Sequence, residues 1–246
     1  MASSASLLQA ATASAAVFSP LQYRRQPAPQ LNLRCSVRRR RGISLTASSA
    51  ASPEVQEEPS PSSPPQASDL SAIADSVKVL KEAAKTRKVP ATEVLSALSK
   101  IKKAKLDTST FFETLGGTES PGRTWMLIFT AKGRLEKGQY FPVTAIQRFD
   151  AAGKRIENGV YLGPIGCLTF EGRLSWKKKI LAFIFERVRI KVGPFGPLEI
   201  GFGNDAGSEP STKDPFFVWF YVDEEIAVAQ GRGGGVAYWC RCKRVP

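Results

Sequence analysis

Residues 180–192 read Ile-Leu-Ala-Phe-Ile-Phe-Glu-Arg-Val-Arg-Ile-Lys-Val. In the second half of this run Val188, Ile190 and Val192 alternate with Arg187, Arg189 and Lys191. Successive side chains of a strand point to opposite faces, so the alternation predicts a strand with one apolar and one solvated side. The first half, Ile180 to Phe185, is apolar throughout and needs cover on both faces.

The period of two continues in both directions. Upstream, 125–131 ends at Lys132-Gly133, 139–150 at the turn Asp150-Ala-Ala-Gly153, and 155–162 at Gly163-Pro164, after which 167–176 follows. Downstream of Gly193-Pro-Phe-Gly-Pro197 come 198–202, 216–222, 226–229 and 236–244. These eight or nine strands are separated by turn residues, with no insertion long enough for a parallel crossover. The expected fold is mainly β, an antiparallel barrel or sandwich, because closure removes exposed strand edges. An eight-stranded barrel leaves an interior able to hold one small ligand.

The N-terminus of the 246-residue chain has another character. Residues 1–53 hold seven arginines (Arg24, Arg25, Arg34 and Arg38 to Arg41) and no acid, the first carboxylate being Glu54. Taking these seven from the 35 basic residues leaves 28 against 22 acidic, so much of the formal charge of +13 is local. A Ser- and Ala-rich, acid-free start predicts a chloroplast transit peptide over 1–50, with cleavage between Arg34 and Ala51. A nucleic-acid patch at Arg38 to Arg41 is the competing reading; targeting is preferred, and no nucleic-acid partner is expected. Residues 51–68, with Pro53, Pro59, Pro61, Pro64 and Pro65, predict a disordered Pro/Ser linker. A helical hairpin is predicted over 69–106. Leu70, Ile73, Val77 and Leu80 form the first face, behind an Asp69 N-cap. Val94, Leu95, Leu98 and Ile101 form the second, after a Val89-Pro90 break. The remaining 107–246 is assigned to the barrel.

Composition excludes several chemistries. The chain has no histidine, which removes Ser-His-Asp and Cys-His catalysis, HExxH zinc sites and histidine pH switches. No apolar run approaches the roughly 18–20 residues a membrane-spanning helix needs. After processing, Cys167, Cys240 and Cys242 remain, too few for a four-ligand zinc site without histidine. Gly231-Arg-Gly-Gly-Gly235 lacks the Lys-Ser/Thr of a phosphate loop and reads as a hairpin turn. Asp223-Glu224-Glu225 lies between two apolar strands and likewise reads as a turn. No catalytic residue, metal or cofactor is assigned, and the protein is not expected to be an enzyme.

Two segments carry a resemblance. Pro121-Gly-Arg-Thr-Trp-Met-Leu-Ile-Phe-Thr130 and Phe217-Val-Trp-Phe-Tyr-Val-Asp-Glu-Glu-Ile-Ala-Val-Ala-Gln-Gly-Arg-Gly-Gly-Gly235 are similar to the first strand and last hairpin of the plastid lipid-associated proteins, or fibrillins. Gly122, Trp125, Tyr221, Asp223, Glu224 and Gly231 occupy the matching places. One extra residue separates Gly122 from Trp125, and Ala227 and Gln230 replace family arginines. The resemblance covers about 115–246 and implies a divergent member with a lipocalin-like barrel. Gly122 with Trp125 also resembles the lipocalin entry motif, in which a tryptophan closes the barrel floor beneath a basic side chain from the last strand. Arg241 or Lys243 is the candidate partner.

The expected function is non-catalytic: binding or sheltering a prenylquinone, carotenoid or acyl lipid at the stromal thylakoid face or on plastoglobules. The candidate cavity lining is Trp125, Phe149, Tyr161, Phe183, Phe185, Trp219 and Tyr238. Lys177, Lys178 and Lys179 are candidates for contact with an anionic membrane or a thylakoid protein. The alternative is a filled barrel serving as an auxiliary or assembly factor for a thylakoid complex. An apolar cavity of several hundred Å3 favours the first reading, and a tightly packed interior the second.

Overall fold

The computed structural model describes residues 67–203 and 208–243. The expected transit peptide, nearly all of the linker, and the side chains of Asp69 and Leu70 lie outside the described residues. Three helices come first: α1 (Ala67–Thr86), α2 (Ala91–Lys103) and α3 (Phe111–Gly116). Ten strands follow among the described residues: β1 (Arg123–Lys132), β2 (Lys137–Tyr140), β3 (Thr144–Asp150), β4 (Arg155–Tyr161) and β5 (Gly166–Lys177), then β6 (Ile180–Val192), β7 (Leu198–Gly201), β8 (Phe216–Val222), β9 (Ile226–Gly231) and β10 (Val236–Cys242). No helix among the described residues is long and apolar enough to cross a membrane.

All ten strands belong to one antiparallel sheet ordered β10-β9-β8-β6-β5-β4-β3-β1-β2, with β7 also on β6. β1 pairs with β10 as well as β3, so a path of ladders leaving β1 through β3 comes back to it through β10. The expected strand over 139–150 is two strands. The Phe141 N–H still reaches Ile128 O of β1 at 2.8 Å, but Pro142 has no N–H to donate, and the ladder with β1 breaks there before β3 resumes it.

The sheet carries an apolar cluster on each face. On one face Leu127, Ile156, Leu174 and Leu181 surround a set of aromatic rings, and Phe111 and Leu115 of α3 join them. On the other, Leu80, Val94, Leu98 and Ile101 of the helical pair cover Ile128, Phe129, Val228, Val236 and Tyr238. The helices form because their apolar positions recur at three and four, and they are stable because that stripe has a sheet face to bury against. Arg87, at φ +54°, makes the turn between α1 and α2 and donates through Nη1 to Phe141 O at 2.8 Å. Tyr140 Oη donates to Val89 O at 2.7 Å. α3 was not legible as a period, being only six residues long.

Candidate functional site

The aromatic cluster is where the sequence expected a lining. Trp125, Phe149, Phe183 and Trp219 are buried together there, and Phe185 packs against them half-buried. Phe217 and Trp239 complete the group. Phe149 to Trp219, Phe183 to Phe217, Phe217 to Trp219 and to Trp239, and Trp219 to Trp239 have ring centroids 5.4–5.8 Å apart. These are contact distances for aromatic pairs. Phe149, Phe183, Phe217, Trp219 and Trp239 thus form one connected group of touching rings.

Two expected lining residues are elsewhere. Tyr238 points to the opposite face and packs beneath the helices, beside Phe129. Tyr161 is half-buried with its ring lying over Gly159, where an added Cβ would meet it at 2.5 Å. Its face is therefore opposite to that of Val160, which packs on the aromatic cluster. Of the adjacent pair Tyr238 and Trp239, it is Trp239 that faces the rings. A usable signal was present: if Arg241 lies over Trp125, then Trp239 shares its face and Tyr238 does not.

Arg241 does lie there, its guanidinium carbon 5.4 Å from the Trp125 ring centroid. Burial lowers the Arg241 pKa, and the neighbouring Arg123 charge lowers it further. Trp125 Nε1 donates to Leu115 O at 2.7 Å, which fixes the indole against α3. Phe112 of the same helix stacks on Trp176 at 5.1 Å. Gly122 makes this junction possible. Its φ is +80°, and a Cβ there would stand 2.2 Å from Phe149 O, so no other residue fits.

Buried among the rings are polar atoms without partners among the described residues. Gln147 Nε2 donates to Asn158 Oδ1 at 2.8 Å, which leaves Gln147 Oε1 and Asn158 Nδ2 unpaired. Reversing both amides leaves the same one donor and one acceptor. The Nε1 groups of Trp219 and Trp239 are also buried without an acceptor.

The remaining family-like residues form a clamp. Asp223 Oδ1 accepts the backbone N–H groups of Glu225 and Ile226 at 2.7 Å each, and Tyr221 Oη donates to Asp223 Oδ2 at 2.9 Å. Lys81 of α1 reaches Asp223 at 3.1 Å and pairs with Glu225. Burial pushes the Asp223 carboxyl up, but these hydrogen bonds prevail and hold it below its ordinary value. The Tyr221 hydroxyl is pushed up, first by burial and then by the Asp223 charge. Glu224 pairs with Arg123 at 2.8 Å. The Asp-Glu-Glu turn thus ties the last hairpin to α1 and to the start of β1. Gly231 ends β9, its N–H bonded to Gly235 O at 2.9 Å, while the positive φ of that turn falls at Gly234.

Lys177, Lys178 and Lys179 are exposed at the β5–β6 turn and make no ion pair among the described residues. Cys167, Cys240 and Cys242 are free thiols; burial pushes Cys240 up to about 11. Among the described residues no group of His, Cys, Asp or Glu could hold a metal. Surface hollows of about 620 Å3 along α1, beside Val77 and Lys81, and about 130 Å3, beside Arg148 and Asp150, touch none of the clustered rings. The chain matches no protein-family model and no curated protein.

Proposed function

We propose that this is a plastid interaction protein, a non-catalytic auxiliary or assembly factor for a thylakoid complex, built on a lipocalin-like barrel filled by its own side chains. The barrel is the ring of eight strands β1, β3, β4, β5, β6, β8, β9 and β10. The observation that carries the reading is the contact packing of Phe149, Phe183, Phe217, Trp219 and Trp239. An eight-stranded barrel is just wide enough for side chains to fill or for one small ligand, and these rings take the space a ligand needs. Trp125 beneath Arg241, with α3 over one end, supports the lipocalin-like label. The acid-free N-terminus supports plastid import.

A second reading rests on the unpaired Gln147, Asn158, Trp219 and Trp239 atoms. Each such group costs about 1–3 kcal/mol when left unpaired. A ligand with both an acceptor and a donor, a lipid headgroup or quinone ring among them, would satisfy them once the rings moved aside. Cross-linking mass spectrometry on intact plastids separates the two. The proposal expects reproducible cross-links from the surface of the barrel or helices to one thylakoid complex; absence of any defined partner overturns it.

A further inference from the structure

The exposed large apolar side chains of the described residues gather on one protrusion: Ile165, Val192, Phe195, Leu198, Ile200 and Phe202, between 40% and 73% exposed. Gly193 N–H bonds to Ile165 O at 2.8 Å and Phe195 N–H to Val192 O at 3.2 Å, which draws the tip together. Among the described residues β7 pairs with β6 alone, and all four of its residues are exposed. Its register sets Leu198 beside Ile190 and Ile200 beside Val188, so the two share a face with the apolar side of β6.

The open edge of β7 can be read residue by residue. Phe202 N–H donates to Glu186 O at 2.7 Å, flanking the Arg187–Gly201 pair and marking it as non-hydrogen-bonded. Alternation along an antiparallel ladder then turns the N–H and C=O groups of Glu199 and Gly201 away from β6. Such an edge, with apolar side chains on it, is a template for another strand.

Charge and hydrogen bonding choose between occupants. Arg187 and Arg189 are engaged by Glu171, and Arg189 also by Glu199 at 2.7 Å, so among the described residues Lys191 is the cation of the flap outside these pairs. An anionic bilayer would gain little charge attraction here, and its hydrocarbon would leave the edge N–H and C=O groups unpaired. A strand satisfies them.

We infer that the free edge of β7 receives an extended, uncharged apolar segment of a partner protein, with a carboxylate at the end that meets Lys191. This rests on the interaction-protein reading and names its site. The test uses the full chain and a labelled synthetic peptide of alternating valine and threonine ending in aspartate, beside a fully N-methylated control. Fluorescence anisotropy reports binding, and amide hydrogen exchange reports protection of Glu199 and Gly201. The expected result is saturable binding that protects both amides and fails for the methylated peptide. Gly201→Pro removes one outward N–H at a position where a Cβ meets nothing within 4 Å. It should weaken binding about tenfold at an unchanged melting temperature.

Equal binding of the methylated peptide, or no protection, overturns the inference. So does flotation with phosphatidylglycerol vesicles without peptide binding, or self-association through this edge seen by sedimentation. If Gly201→Pro keeps the wild-type cross-links in plastids, the edge is not the site while the interaction-protein reading survives. If the wild type yields no cross-links at all, that reading itself fails.

Discussion

Trp239 is fully buried, 5.4 Å from Trp219 and 5.7 Å from Phe217, with its indole N–H unpaired. If the interior is filled by side chains, Trp239→Ala leaves a hole that its neighbours cannot close. Large-to-small changes of this kind cost about 3–5 kcal/mol. Losing an unpaired N–H returns about 1–3 kcal/mol of its desolvation cost. At mid-range the net loss is about 2 kcal/mol, a fall of roughly 4–8 °C in melting temperature for a domain of this size. Trp239→Phe behaves differently. It surrenders less apolar area and removes the same N–H, so it should fall within about 1 kcal/mol of the wild type. Urea unfolding of the full chain, followed by near-ultraviolet circular dichroism, measures both variants. A Trp239→Ala variant as stable as Trp239→Phe would mean that the ring borders open space rather than neighbours. That would refute the filled-barrel argument.

Other expectations follow from single sites. Gly122→Ala forces φ +80° on an alanine whose Cβ would stand 2.2 Å from Phe149 O, so it should abolish soluble expression. Gly201→Ala, meeting nothing within 4 Å, should express and melt like wild type. The depressed Asp223 pKa makes its charge a stabilising one, present above the unfolded value near 3.9 and lost as pH falls through the folded pKa. Asp223→Asn should therefore lower stability at pH 7 and flatten the stability–pH curve below about pH 5, measured by thermal melts from pH 3 to 7. Cys240, half-buried with its thiol pushed up to about 11, should react with a disulfide reagent at pH 8 far more slowly in the folded chain than in urea.

Most of the strand order was legible because side-chain alternation is set locally. Val188, Ile190 and Val192 against Arg187, Arg189 and Lys191 fixed β6 without help from other strands. The helical pair was legible for the same reason, through Val94, Leu98 and Ile101. What the sequence concealed depends on bulges and on contacts between distant segments. The bulge between Leu127 and Phe129 reverses the facing of β1 halfway along, so Phe129 lies under the helices while Leu127 joins the aromatic cluster. Composition could not say which of Tyr238 and Trp239 faces the rings, because both are large aromatics on one strand. The tie from Lys81 to Asp223 spans 142 positions, and only the fold brings the two together. The family-like acidic turn thereby acquires a physical role, as the clamp between helices and last hairpin. The apolar flap at β7 also escaped the sequence reading. Leu198 to Phe202 reads as an ordinary short strand, and its exposure follows from where β8 stops pairing with β6, after Ala182.

The proposed function depends on the apolar cluster inside the antiparallel sheet belonging to the protein's own rings. The decisive measurement is native mass spectrometry of the full chain purified without detergent, with extraction and quantification of any lipid it carries. Filled packing predicts the mass of the polypeptide alone, with no lipid approaching one equivalent. A stoichiometric prenyl or acyl lipid, lost in Phe183→Asp while the fold persists, would contradict it and make the protein a carrier.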